Sequence, residues 1–204
     1  MGRSLAKVLS TQPPQGLLSI LDDAPMTADE VAGDYYDVFG AIVTAVNPRD
    51  TIDWLHVKCV VDLTWEIKRE RTIKTSVITL MQQEVVLELL KSTEEAPSSL
   101  GSHVHRIFEA KDEAKKWAVD LVATKETNTK LAARGYPSSD VLARAYMRGA
   151  NQIDAIDRRT ASHELRRMAA LREIERRDEK FARQLGNASR VVIDGFSEAT
   201  GSQS

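Results

Sequence analysis

The sequence contains little cysteine and proline, and these scarcities already exclude some classes of protein. Its 204 residues include one cysteine, so no internal disulfide can form, and only six prolines, which leaves long stretches free to form helices. Its apolar runs fall well short of the ~20 residues that a membrane-spanning helix needs. A net charge of −2 gives no general attraction to a polyanion. We therefore expect a cytoplasmic protein that does not associate with membranes.

Motifs of catalysis and cofactor binding are also missing. The sequence has no Walker-type glycine loop and no glycine fingerprint of a dinucleotide-binding strand and helix. It also lacks the Glu-x-x-His element that supplies ligands in helical di-iron proteins. We expect no cofactor and no enzymatic activity.

The most informative stretch runs from Ser139 to about Ile193. It contains no proline, and its weak points are Gly149 and Gly186, so continuity of a helix through Gly149 stays open. Charged residues fill the positions between its apolar ones. The apolar residues recur at helical intervals, at Ile153, Ile156, Met168, Leu171, Ile174, Phe181, Leu185 and Val192. This pattern predicts one long amphipathic helix whose apolar side must be covered by another helix.

Four further helical segments precede it. A capping box at Thr27 predicts a helix that ends at Asn47-Pro48, and Asp50 predicts the N-cap of a second helix that reaches Ser92. A third helix is expected over 103–124, followed by a short helical piece that ends at Gly135. The chain is thus predicted to be all-α, an elongated, coiled-coil-like bundle framed by its two long helices.

The domain organisation predicted from the sequence is simple. Residues 1–25 read as a flexible leader in which Leu17 to Leu21 can dock as a short turn. Residues 26–195 form a single helical domain in this prediction, and 196–204 form a disordered tail rich in small polar residues.

Two short segments are the most distinctive of the chain, and they are Val61-Asp62-Leu63-Thr64-Trp65-Glu66 and Ala169-Ala170-Leu171-Arg172-Glu173-Ile174. With these segments the chain resembles a family of hypothetical bacterial proteins over roughly residues 30–190. The resemblance implies a shared fold and a bacterial origin, and it implies no catalytic residue.

Asp62 and Glu66 are the strongest candidates for chemistry. Two carboxylates four residues apart on a helix can share a proton or bind a metal. Helical ion pairs of Asp62 with Lys58 and of Glu66 with Arg69 are the favoured interpretation. The histidines His56, His103, His105 and His163 fit ordinary surface or capping roles, and Cys59 lacks an evident base in sequence.

Two interaction functions remain open. Apolar residues late in the last helix predict self-association or docking on a protein partner, and they are Met168, Leu171, Ile174, Phe181 and Leu185. Arginine pairs in the same helix suggest a nucleic-acid-associated accessory protein that acts through Arg158, Arg159, Arg166 and Arg167. The resemblance to the bacterial family adds the expectation that such a protein belongs to a mobile element. Acidic residues nearly balance these arginines, so the protein-interaction function is favoured.

Overall fold

The computed structural model describes residues 12–14, 16–92 and 100–201, without the side chains of 100–103, 185–186 and 188–201. Within these ranges the chain forms seven helices and no strand, which confirms the all-α prediction. The helices are α1 (Leu18–Leu21), α2 (Ala32–Val46), α3 (Thr51–Ser92), α4 (Leu100–Val119), α5 (Leu121–Ala133), α6 (Ser138–Arg148) and α7 (Ala150–Gly201). Among these described helices, none is long and apolar enough to cross a membrane.

The chain divides into two compact units, where the sequence predicted a single helical domain. Unit 1 comprises Met1–Ile67 and Ser162–Ser204, and unit 2 comprises Lys68–Ala161. The two long helices, α3 and α7, each contribute to both units.

The core of unit 1 lies between α2 and the first half of α3. α2 presents Tyr35, Phe39 and Val43 on one side. α3 meets them with four buried residues, Trp54, Val57, Val61 and Trp65. Ile52 and Leu55, two apolar residues near the start of α3, are exposed.

Part of the predicted flexible leader belongs to this core. Leu17 and Leu21 are buried against the aromatic residues of α2 and α3, so the segment docks as the sequence allowed. The residues before Gln12 lie outside the described part of the chain.

The second layer of unit 1 is formed by α7 on α3. Val60 of α3 packs against Ala170 and Ile174 of α7. Nearer the start of α3, Asp53 pairs with Arg177, so the two helices run antiparallel in this unit.

The core of unit 2 is built on the second half of α3. Its buried residues come from α3, α4, α5 and α6, and they are Val85, Val86, Leu89, Leu90, Ala110, Ala114, Trp117, Leu131, Val141 and Ala145. Polar contacts also join α3 to the start of α7, since Lys74 binds Asp157 at 2.7 Å. The indole nitrogen of Trp117 donates to Asn128 at 2.9 Å and links α4 to α5.

The capping interactions confirm the predicted start of α3 and correct the predicted start of α2. Asp50 Oδ1 accepts from the backbone N–H groups of Ile52 and Asp53, both at 2.9 Å, which confirms the N-cap of α3. At Thr27 the Glu30 carboxylate reaches back to the backbone N–H at 2.8 Å, but α2 begins only at Ala32. The helix starts late because the β-branched Val31 adopts an extended backbone.

The predicted 103–124 helix is interrupted at Asp120. Its carboxylate accepts from the backbone N–H of Val122 at 2.8 Å and of Ala123 at 3.4 Å, while its own backbone is extended. Asp120 therefore ends α4 and caps α5, which absorbs the short helical piece predicted before Gly135.

The predicted single helix from Ser139 to Ile193 is also divided. Gly149 closes α6, and α7 begins at Ala150. A Cβ atom at Gly149 would lie 3.1 Å from Met81 Cγ, so the glycine permits close packing on α3. α7 then continues to Gly201, into the predicted tail, because Ser197 to Thr200 contain no helix-breaking residue.

Candidate functional site

Three polar side chains form a hydrogen-bonded network between α2 and α3 in unit 1. Lys58 Nζ donates to both carboxylate oxygens of Asp62, at 2.6 and 2.7 Å, and lies 3.0 Å from the Tyr35 hydroxyl. It also donates to the backbone carbonyl of Asp23 at 2.9 Å. Because an ammonium group has three protons, these acceptors satisfy Lys58 fully. The predicted ion pair of Asp62 with Lys58 is confirmed.

Tyr35 completes the network as a donor. Its hydroxyl lies 2.6 Å from Asp62 Oδ1. Burial raises the pKa of Tyr35 above its ordinary value, and the hydrogen bond to the Asp62 carboxylate raises it further. Tyr35 therefore remains protonated, and the network holds α2 against α3.

A groove of about 470 Å³ opens beside this network. It brings together several residues that the sequence singled out separately, on α3 and α7. They are Cys59, Asp62, Glu66, His163 and Arg166, with Lys58, Pro25, Leu55 and Leu63 completing the lining.

The chemistry available in this groove is limited. Across the described residues, no three His, Cys, Asp or Glu side chains are placed to bind a metal. His163 Nδ1 is buried and has no hydrogen-bond partner there, so this nitrogen does not orient or activate Cys59. Lys58 and Asp62 are engaged with each other.

The remaining candidate histidines do not form a site either. His105 lies 3.7 Å from Glu109 on the exposed side of α4. The side chain of His103 lies outside the described residues. His56 is half-buried in α3.

A cluster of arginines and aspartates joins the α2–α3 connection to α7 in unit 1. Arg177 donates to Asp53 at 2.7 Å and to Asp50 at 2.5 Å. Arg49 pairs with Asp178 and stacks on Phe181, with its guanidinium carbon 4.1 Å from the ring centre. Asp53 is buried, so this cluster fixes α7 on α3.

The four arginines of the nucleic-acid interpretation differ in their surroundings. In unit 2, Arg159 is held by both oxygens of the buried Glu70, at 2.7 and 3.0 Å, while Arg158 is exposed. In unit 1, Arg166 lines the groove, and Arg167 is half-buried with its Nε enclosed. A guanidinium that already binds a carboxylate is less available to a phosphate.

An exposed apolar surface lies on α7 in unit 1, and we call it the exposed α7 face. It consists of Leu165, Met168 and Leu171, which are 70%, 48% and 38% exposed. These residues follow one another at intervals of three and so lie along one side of the helix. Leu165 was not among the predicted interaction residues, although its spacing from Met168 was a usable signal.

The other predicted interaction residues have different environments. Ile174 is 7% exposed and packs against Val60, so it serves the core of unit 1. Phe181 is partly covered by Arg49. The side chain of Leu185 lies outside the described residues.

Comparison with known proteins adds no relative to these observations. No protein-family model, no curated protein and no solved structure matches the chain. The resemblance to a bacterial family therefore stays an expectation.

Proposed function

We propose that this chain is a non-enzymatic helical interaction protein that binds another α-helix along the exposed α7 face. The observation that supports this function is the position of Leu165, Met168 and Leu171 on the side of α7 away from its own core. The opposite side of the helix already packs on Val60 through Ala170 and Ile174.

The chemistry of the face fits a helical partner. Leucine and methionine at intervals of three or four residues are the anchors by which amphipathic helices pack against one another. Methionine also adapts its flexible side chain to the surface that it meets. The partner is a second copy of this chain or a different protein with an apolar helix.

Two variants test the proposal. Leu165→Glu combined with Met168→Glu places charges on the face, and Met147→Glu changes a methionine of unit 2 that is 80% exposed. A partner protein is first identified by mass spectrometry, then purified and titrated against each variant, and self-association is measured in parallel. We expect the double variant to lose its association with that partner or with a second copy of the chain. The Met147→Glu control should retain it. If neither kind of association depends on Leu165 and Met168, the proposal is wrong.

Association with nucleic acid has weaker support. The ion pair of Arg159 with Glu70 removes one of the four arginines from contact with phosphate. A gel-shift titration of labelled DNA at low salt tests this alternative. Binding that falls with added salt and is abolished by Arg158→Glu with Arg166→Glu would favour nucleic acid over a helical partner.

A further inference from the structure

We propose that unit 2 carries a second binding surface, which lies on a membrane face that contains anionic lipids. This surface runs along the outer side of α4 and continues over the junction with α5. It uses no residue of α7, so it stands apart from the proposed function. Its α4 part, which we call the α4 stripe, consists of Val104, Phe108, Lys111, Lys115 and Val119.

The residues of the α4 stripe follow one another along one side of the helix. Each lies three or four positions after the one before it, so consecutive members are neighbours on the helix surface. All five are exposed, whereas Ala110, Ala114 and Trp117 on the other side of α4 are buried in the core of unit 2. The stripe therefore faces away from this core.

Exposed apolar side chains are concentrated on this surface. Among the described residues, six large apolar side chains are at least 64% exposed, and four of them are Phe108, Val119, Leu121 and Val122. Leu121 and Val122 open α5 directly after its cap, Asp120. A cluster of this kind is rarely left in water by a monomeric protein, and it marks a surface that binds a partner or a membrane.

Lysines supply positive charge within the apolar stripe. Lys111 Nζ lies 6.0 Å from the centre of the Phe108 ring, and no carboxylate of the described residues pairs with Lys115. Lysine stems lie along apolar surface while the ammonium groups remain with polar groups, which include lipid phosphates. The stripe therefore combines the two contacts that hold a helix at an anionic lipid surface, apolar insertion and charge attraction.

The acidic residues of this region weaken the attraction little. Asp112 pairs with Lys116 at 2.7 Å, and Asp120 accepts from the backbone N–H groups at the start of α5. Glu126 is exposed on α5, beside the exposed Lys125. The α4 stripe itself contains no acidic residue, so its own charge is positive.

The shape of the surface favours lipid over a protein groove. Trp117 bonds Asn128 and Glu113 accepts from Thr127 at 3.1 Å, so α4 and α5 run antiparallel and their junction is the tip of a hairpin. A tip with projecting apolar side chains enters a fluid lipid layer without a preformed complementary cavity. The sequence-based expectation of no membrane association rested on short apolar runs and net charge, and neither excludes a local surface of this kind.

Vesicle sedimentation tests the proposal on the full chain. The unaltered chain should sediment with vesicles of equal parts phosphatidylglycerol and phosphatidylcholine, bind less as salt is added, and bind pure phosphatidylcholine weakly. Phe108→Gln with Leu121→Gln, and Lys111→Glu with Lys115→Glu, should each lower the partition coefficient at least about tenfold. Circular dichroism checks that each variant remains helical.

Two controls separate this surface from general stickiness and from total charge. Met147→Gln changes a side chain of α6 that is 80% exposed, and it should leave binding unchanged. Lys91→Glu with Lys180→Glu alters the net charge as much as the stripe variant does, at exposed positions elsewhere. This variant should retain most of the binding, and an equal loss would overturn the role of the α4 stripe.

A fluorescent label tests whether the hairpin tip enters the lipid. Val119→Cys and Met147→Cys are prepared separately in a Cys59→Ser background and labelled with an environment-sensitive dye. Anionic vesicles should shift the emission to the blue at position 119 and leave it unchanged at position 147. A chain that ignores anionic vesicles at low salt overturns the proposal, even if the same side chains then bind a protein.

Discussion

The hydroxyl of Tyr35 on α2 lies 2.6 Å from Asp62 Oδ1 on α3, beside the ammonium group of Lys58. Removing this hydroxyl with Tyr35→Phe should lower the free energy of unfolding by about 1.5–3 kcal/mol, the usual range for a hydrogen bond to a charged group. Urea unfolding followed by tryptophan fluorescence measures the change. A Trp117→Phe background restricts the signal to Trp54 and Trp65 of unit 1.

Tyr36→Phe is the matched control for this prediction. The Tyr36 hydroxyl donates to the neutral carbonyl of Asp22 over 3.3 Å, so its loss should matter less, by about 0.5–1.5 kcal/mol. An equal decrease in the free energy of unfolding for Tyr35→Phe and Tyr36→Phe would contradict a special role of the network around Lys58.

Asp53 should make the stability of unit 1 sensitive to acid. Burial raises the pKa of Asp53, but hydrogen bonds from the Arg177 side chain and the Arg49 backbone lower it more, so the pKa lies below its ordinary value. A lowered folded pKa means that Asp53 contributes stability above the unfolded value of about 3.9 and loses it as the pH falls through the folded value.

Unfolding midpoints measured between about pH 2 and pH 6 test this dependence. The unaltered chain should lose stability steeply at the acidic end, and Asp53→Asn should be less stable at pH 6 with a flatter profile. At neutral pH, Arg177→Met should destabilise the chain clearly. Arg176→Met should change the stability little, because the hydrogen bonds of Arg176 within the described residues go to Glu173, its neighbour on the same helix. Parallel pH profiles for Asp53→Asn and the unaltered chain would refute the prediction.

Asp120→Ala should weaken the junction of α4 and α5. The substitution removes the acceptor for the backbone N–H groups of Val122 and Ala123, and loss of such a cap costs about 0.5–2 kcal/mol. Asp112→Ala is the control, since Asp112 pairs with Lys116 on the surface of α4. Thermal unfolding followed by circular dichroism should show a lower midpoint for Asp120→Ala only.

Two glycine substitutions should change stability in opposite directions. Gly135 has a φ of +88°, so Gly135→Ala should destabilise the chain by about 1–2 kcal/mol, the penalty for a side chain in a left-handed conformation. Gly33 lies in α2 with only Val31 near an added Cβ, at 3.8 Å. Gly33→Ala should therefore stabilise it by about 0.4–1 kcal/mol. Chemical denaturation of both variants measures the two signs, and a shared sign would contradict this account.

Much of the helical architecture could be predicted from local signals. Asp50 is a strong cap, and Pro48 removes the alternative of a continuous helix, so the start of α3 was correctly predicted. The break at Asp120 was missed because the apolar pattern continues across it. The break at Gly149 falls at a residue that the sequence marks as a weak point of the long helix without deciding whether the helix continues through it. At Asp120 the carboxylate competes for backbone donors, a preference that the residue type alone could have signalled.

The candidate site was harder to predict because its parts are distant in sequence. The pair of Lys58 and Asp62 is local and was predicted, whereas Tyr35 joins them only through the packing of α2 on α3. Burial of Ile174 likewise depends on Val60. The apolar stripe of α7 alone could not distinguish a residue used by the chain itself from one left for a partner.

The docking of α1 affects where the chain can be shortened. Leu17 and Leu21 cover the aromatic rings of α2 and α3, and the backbone N–H of Leu17 donates to Pro14 at 3.2 Å. A recombinant fragment that begins at Thr27 would leave Tyr35 and Phe39 open to water and prone to aggregation. Fragments for crystallisation or NMR should therefore begin no later than Gln12.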